Sequence, residues 1–254
     1  MLAIDRKRLI LQDLMNDGSV IVSELSGKYD VSAETIRRDL DEFIKGNKGI
    51  IRSRGGAYLV NDFEKEPPFH MREIAIPNEK ALMAQSCFSM IDEADTIFID
   101  SSTTIYCIAK LLAQNKKKVS VFTDSIISTI ELWDKEHINL VLVGGTVRKK
   151  TASCTGYMST DMISRLYSDK AFISCSSLHP EKGLTDNNEF VGKLREQMIK
   201  NSSKRILVAD SSKFERVSPY KIADLNSIDI IVTDTDPGEK WKKILDDKSI
   251  RLVY

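Results

Sequence analysis

The distribution of apolar positions divides the chain into two regimes. Through the first 45 residues apolar side chains recur at helical spacing. Ile4, Leu11, Leu14 and Met15, with Leu9 and Ile10, line one side of a first helix over Ile4–Asp17, and Gly18 stands where a C-cap is wanted. Ser19–Ile21 is short and β-prone. Leu25 and Tyr29, four apart, mark a second helix over Ser23–Tyr29. Ile36, Leu40 and Phe43 form the seam of a third, from Ser32 to about Lys45. Ser32 is placed to cap it, and Glu34 sits near its positive end. Gly46 and Gly49 break the chain, and GIIRSRGGAYLV at Gly49–Val60 reads as a hairpin turning at Gly55-Gly56.

From about residue 78 the pattern changes to apolar runs separated by helical stretches. The runs are Thr96–Asp100, Val119–Thr123, Leu140–Val143, Ala171–Cys175, Ile206–Ala209, Ile228–Thr233 and Ile250–Tyr254. The helical stretches are Glu79–Ile91, Thr103–Gln114, Ser125–Lys135, Asp161–Tyr167, Glu189–Asn201 and Lys240–Leu245. Near-continuous apolar strands alternating with helices predict a parallel sheet covered on both faces. The polar stretch between the regimes carries Glu64–Glu66, Pro67, Pro68 and Pro77 and reads as a stiffened linker, with His70 as a linker contact. The expected organisation is therefore α/β, with a small helical domain over 1–60 (helix-turn-helix about 20–39), a linker over 61–77 and a larger domain over 78–254.

Composition changes this picture little, and local charge changes it more. Lys+Arg and Asp+Glu are both 37, so net charge names no partner. From Arg37 to Arg54, however, six basic residues stand against three acidic ones. The third helix has a buried seam and leaves Thr35, Arg37 and Arg38 on its outer edge, the arrangement that enters a DNA major groove. An ordinary three-helix cap with a solvated charged face has the same pattern. Cys87, Cys107, Cys154 and Cys175 show no CxxC spacing and do not cluster with the three histidines. Free, buried or half-buried thiols are expected, with no metal and no cofactor. The N-terminus has no uncharged apolar run of signal length and no stretch approaches 18 apolar residues; a cytoplasmic protein away from membranes is expected.

In an open parallel sheet ligands gather beyond the C-terminal ends of the strands. The residues there are Asp100-Ser101-Ser102-Thr103-Thr104, then Thr123-Asp124-Ser125, then Gly144-Gly145 with Arg148, then Asp210-Ser211-Ser212-Lys213. Hydroxyls and backbone N–H groups opening a helix form an anion site, although a plain N-cap has the same sequence. Paired glycines admit close backbone approach, and Arg148 and Lys213 add cations. Together they suit an anionic, polyol-like ligand such as a sugar phosphate. Gly183–Asp186, expected as a turn, and Glu189 offer acceptors for hydroxyls, Asp186 among them.

Particular motifs in both halves resemble the DeoR family of transcriptional regulators. In the first half these are Arg6, Ile10 and Leu14, then Ser32, Thr35-Ile36-Arg37-Arg38-Asp39-Leu40, then the RxxGG of Arg52–Gly56. GNKG at Gly46–Gly49 is about one residue longer than the family's usual approach to the hairpin. In the second half the family's D-S-G-T-T, T-N-S, G-G-x-x-R and A-D-S-S-K-F correspond to the strand-end stretches above. Two departures stand out: Ser102 replaces a glycine and Asp124 replaces an asparagine. PFHMR, FISCSSL and GLTDNNE look closest to the branch regulating fucose and similar sugars. The resemblance implies a winged helix-turn-helix followed by a Rossmann-like sensor domain related to ribose phosphate isomerase, which senses phosphorylated sugars without converting them.

On that basis the expected DNA contacts are Ser32, Glu34, Thr35, Arg37, Arg38, Arg52 and Arg54. The expected effector contacts are Asp100, Ser101, Ser102, Thr103, Thr104, Asp124, Gly144, Gly145, Arg148, Asp186, Glu189 and Lys213. The expected partners are double-stranded operator DNA, a phosphorylated sugar and further copies of the chain, as a dimer or tetramer. Repression of a carbohydrate-metabolism operon is the leading reading. Two rivals remain. One is a sugar-phosphate isomerase or deaminase using Asp100, Glu189 and Lys213 as acid/base groups beside an accessory DNA-binding module. The other is an architectural DNA-binding protein whose second domain is structural.

Overall fold

A computed structural model describes residues 2–46, 50–53, 55–59 and 67–254. Arg54, the Asn47–Gly49 part of the extended approach to the hairpin, and the Glu64–Glu66 charge run lie outside them. The chain forms two compact units, Met1–Ala75 and Ile76–Tyr254.

The first unit contains α1 (Ala3–Asp17), β1 (Ser19–Ile21), α2 (Val22–Tyr29), α3 (Ala33–Gly46), β2 (Ile50–Ser53), β3 (Gly56–Leu59) and α4 (Phe69–Glu73). Gly18 ends α1 in the left-handed conformation, φ 74°, and its N–H reaches Leu14 O at 2.9 Å. Ile10, Leu14, Leu25, Ile36, Leu40, Ile50 and Ala57 form one core, with Phe43 packed against it, so the expected seam of α3 faces inward. The expected hairpin is two-thirds of a sheet, because β1 adds antiparallel to β3 in the order β1-β3-β2. Gly56 permits this: a Cβ there would lie 1.9 Å from Val20 O. Within the stretch read as linker, α4 buries Phe69 and Met71. Met71 Cε lies 2.9 Å from where a Gly56 Cβ would stand, and His70 Nε2 meets Ser19 Oγ at 2.8 Å. Pro67–Ala75 is therefore packed structure of the first unit.

The second unit runs α5 (Pro77–Ser89), β4 (Thr96–Ile99), α6 (Thr103–Gln114), β5 (Val119–Thr123), α7 (Ile126–Leu132), β6 (Ile138–Leu142), β7 (Thr146–Arg148), β8 (Ser153–Thr155) and α8 (Tyr157–Ser164). It continues with β9 (Ser168–Ile173), β10 (Ser177–His179), β11 (Gly183–Asp186), α9 (Glu189–Lys200), β12 (Ser202–Val208), β13 (Tyr220–Ala223), β14 (Ile230–Val232), α10 (Glu239–Asp247) and β15 (Arg251–Val253). Seven strands form a wholly parallel sheet in the order β15-β14-β12-β9-β4-β5-β6. All seven expected apolar runs are in it, and Phe98, Ala171, Phe172 and Leu207 are fully buried. The chain moves outward from β4 to β6, then returns to lay β9 on the other side of β4. The topological switch point, where such folds open a crevice, is thus between β4 and β9.

Two smaller sheets were not anticipated: the β7–β8 hairpin and the antiparallel set β10-β11-β13. Gly183–Asp186, expected as a turn, is β11. Gly183 takes φ +72°, and a Cβ on it would fall 2.2 Å from Ala223 O, so this glycine serves close pairing with β13.

Candidate functional site

At the switch point the strand register sets the chemistry. Ile99 aligns with Thr123 on β5 and with Phe172 on β9. The next residues, Asp100 and Asp124, therefore leave adjacent parallel strands at the same edge, with Ser174 beside them. Asp100 is almost wholly buried. Its Oδ1 accepts from Ser102 N at 2.8 Å, and its Oδ2 accepts from Ser174 N at 2.7 Å. Arg195 Nε lies 2.7 Å from the same Oδ2. From α9, Arg195 also pairs through Nη1 with Asp186 Oδ2, while Asp186 Oδ1 accepts from Asn188 N at 3.1 Å. One buried guanidinium thus holds two buried carboxylates in place.

Asp124 is the third carboxylate of this cluster and is 2% exposed. Its Oδ2 accepts from Ser101 Oγ at 2.7 Å, and its Oδ1 is buried without a hydrogen-bond partner. Burial, and secondarily the charge of Asp100, pushes its carboxyl up to about 7. Ser102 caps α6 by accepting from Ile105 N at 3.2 Å, and buried Thr103 and Thr104 form the helix's first turn, whose N–H groups have no partner within the helix. The loop is therefore an N-cap, the plainer of the two expectations for it.

Lys213 belongs to the same neighbourhood through Cys175. That buried thiol, pushed up to about 12 by desolvation, feels Lys213, Arg195, Asp186 and Asp100. Lys213 Nζ is 4.0 Å from Asp210 Oδ2. The remaining expected residues are placed less centrally. Gly145 is explained by packing, since a Cβ there would lie 2.0 Å from Ser159 Oγ. The Cβ position of Gly144 is open, and its carbonyl accepts from Ser159 Oγ at 2.8 Å. Arg148 is half-buried on β7, and Glu189 is exposed at the first position of α9, outside the buried cluster. Arg195 and Ser174 belong to the cluster and were not singled out from sequence. Among the described residues, no group of His, Cys, Asp and Glu could hold a metal ion, and no helix is long and apolar enough to cross a membrane. Cys87, Cys154 and Cys175 are buried free thiols and Cys107 is half-buried.

In the first unit, Ser32 Oγ accepts from Thr35 N at 3.2 Å and meets Thr35 Oγ1 at 2.9 Å, capping α3. The Arg38 side chain is 78% exposed and that of Arg37 about half exposed. Glu34 lies between them, 3.3 Å from Arg37 Nη1 and 3.8 Å from Arg38 Nε. Arg52 turns back onto α3, donating to Arg37 O at 3.1 Å and pairing with Asp41 Oδ1 at 2.9 Å. It ties the wing strand to the helix. Asp39 is buried and receives a two-pronged contact from Arg6, 2.7 Å to Oδ2 and 3.3 Å to Oδ1, which raises the Arg6 pKa and locks α1 to α3.

Comparison with known proteins supplies the context for both arrangements. Residues 6–63 match the model of a DeoR-like helix-turn-helix domain and residues 76–235 that of a DeoR C terminal sensor domain. The chain is 32% identical to the HTH-type transcriptional repressor GlcR of Bacillus subtilis, over 98% of this chain and 95% of that protein. It is 30% identical to the L-fucose operon activator of Haemophilus influenzae, over 98% of both chains. Among solved structures, ribose 5-phosphate isomerase A of Methanocaldococcus jannaschii matches 55% of each chain at 15% identity and a TM-score of 0.40.

Proposed function

This chain belongs to the DeoR family of transcriptional regulators, and on that premise we propose that it represses a carbohydrate-metabolism operon until a phosphorylated sugar occupies the crevice between β4 and β9. The observation that carries the DNA-binding half is α3. It is a capped helix with a fully buried Ile36–Leu40 seam and an edge of exposed Arg37 and Arg38 with half-buried Thr35, inside the segment matched to a DNA-binding module. Ser32 and Glu34 set that edge, Arg52 ties the wing strand to α3, and Arg54, outside the described residues, is assigned to DNA contact on its place in the sequence. The effector half is supported by the polar groups gathered at the switch point: the Ser101–Thr104 loop, Asp100, Asp124 and Asp186 with Arg195, and Lys213. Gly144, Gly145, Arg148 and Glu189 are assigned to its rim.

Repression rather than activation is proposed on the likeness to GlcR; the fucose activator shows that the opposite sign occurs among relatives. The DNA-binding role is assigned to the first unit, with Pro67–Ala75 packed into it, and the sensing role to the second unit. Operator recognition by one short helix reads few base pairs, so the working form is a dimer or tetramer. The protein acts in the cytoplasm, without a cofactor, and senses its ligand without converting it.

One assay tests the whole reading: fluorescence anisotropy of labelled operator DNA during titration with a panel of sugar phosphates, followed by product analysis of the same mixtures. Release of DNA with the sugar recovered unchanged is expected. Turnover would make the crevice an active site, and indifference to every sugar phosphate would remove the effector.

A further inference from the structure

Among the described residues two side-chain oxygens, Asp124 Oδ1 and Ser128 Oγ on α7, are buried without a hydrogen-bond partner, and Asp124 Oδ1 is the one that can carry a charge. Asp124 Oδ1 is buried and unpartnered, at the same strand edge as the loop that opens α6. The groups around it define what it can do. Ser101 from the β4–α6 loop donates to the other oxygen, Oδ2, at 2.7 Å. Asp100, at the end of the adjacent strand, opposes a negative charge on Asp124. Arg195 from α9 favours that charge, but it is already committed to Asp100 and Asp186. Cys154, from β8 of the hairpin alongside, has its thiol raised by burial and by Asp124 itself, so it stays protonated and brings no charge. With Arg195 committed to Asp100 and Asp186, and Lys213 drawn to Asp210, an ionised Asp124 adds a negative charge that opposes any anion entering the crevice. A neutral Asp124 instead presents an O–H from Oδ1, since Oδ2 is occupied as an acceptor.

We propose that Asp124 binds the anionic group of the effector as a neutral carboxylic acid, donating from Oδ1, so that effector binding draws a proton from solution. This rests on the anionic-effector reading above. The mean number of protons taken up per ligand bound equals the fraction of Asp124 that is ionised in the empty protein. Burial and the charge of Asp100 push this carboxyl up to about 7, so part of it is ionised around neutral pH. Effector affinity is then insensitive to pH on the acid side and weakens as pH rises through and beyond neutrality. In a more alkaline solution the protein holds its operator against higher effector concentrations.

Sulfate is the appropriate probe, because it remains a dianion throughout and does not add a titration of its own as a phosphate monoester would. The full chain is titrated with sulfate by NMR from pH 5.5 to 8.5, and in parallel with a panel of sugar phosphates. For the wild type, the sulfate Kd is expected to be flat below pH 6 and to rise towards tenfold per pH unit above 7.5. For Asp124→Asn, which keeps a donor but cannot ionise, it is expected to stay flat and within about threefold of the acid-side wild-type value. Proton uptake on adding sulfate to weakly buffered wild-type protein at pH 7.5 reads the same event without any substitution. Sulfate binding that is pH-independent in the wild type, or the same pH slope in Asp124→Asn, overturns the role of Asp124 and leaves the effector site standing. No binding of sulfate or of any sugar phosphate to either protein overturns the effector reading, and this proposal with it.

Discussion

At the scale of single residues, the most consequential side chain is one that carries no motif. Arg195 is buried and ion-paired to both Asp100 and Asp186. Arg195→Met keeps the volume and strands two buried carboxylates. The expected cost is about 3–5 kcal/mol, seen as a lower urea midpoint at pH 7; a midpoint within experimental error of wild type would mean the pairs contribute nothing. A second prediction concerns Asp124. Its folded-state carboxyl, at about 7, lies above its ordinary value of 3.8. The folded state therefore holds a proton that the unfolded state has released, and this residue's contribution to stability falls as pH rises from about 4 to 7 and then levels. Relative to wild type, Asp124→Asn should gain stability across that window, by at most about 4 kcal/mol at 1.36 kcal/mol per pH unit. Denaturation curves at pH 4.5, 6 and 8 check the sign. The position of Asp124 was legible in sequence, because two consecutive apolar runs end in Asp-Ser. Arg195 was not found, although a signal exists: it occupies the stripe of α9 that also buries Val191, Leu194 and Met198, and a charge on an apolar stripe implies a buried partner.

At the scale of elements, helices and long strands were readable because each buries enough apolar surface to impose a period. All seven strands of the main sheet and the three helices before the wing follow the pattern, with ends displaced by a few residues. The failures share a cause. β7, β8, β10, β11 and β13 lack the near-continuous apolar run that marks the equally short β4, β14 and β15, and GLTD at Gly183–Asp186 has the composition of a turn. α4 was hidden by its prolines: Pro67 and Pro68 block helix up to residue 68 and then open one at Phe69. The wing yields a prediction of its own. Gly56 lies against the backbone of β1, so Gly56→Ala pushes β3 from Val20. It should abolish operator binding while leaving the sensor unit's fold intact, read by DNA anisotropy alongside the near-ultraviolet spectrum of Trp133 and Trp241, both in the second unit. Ser32→Ala is milder. Losing the cap of α3 costs about 1 kcal/mol and should weaken operator binding without abolishing it.

At the scale of the whole molecule, the proposal requires two sites that are separable in mutation yet coupled in energy. Arg37→Ala should abolish operator binding and leave sugar-phosphate binding unchanged, because Arg37 is an exposed residue of the first unit and the effector groups belong to the second. Lys213→Ala should do the reverse, weakening effector-driven release while operator affinity without effector stays at wild type. Loss of both activities in either variant would mark that residue as structural. Coupling then has a value that can be measured from both sides. If the effector lowers operator affinity by a given factor, operator DNA must lower effector affinity by the same factor, on the order of 5- to 150-fold for coupling of about 1–3 kcal/mol. Effector titrations of the free protein and of the protein saturated with operator supply the second number. Agreement between the two factors would make the crevice between β4 and β9 an allosteric site for α3. An effector affinity indifferent to DNA would show that the sugar phosphate, though bound, does not regulate.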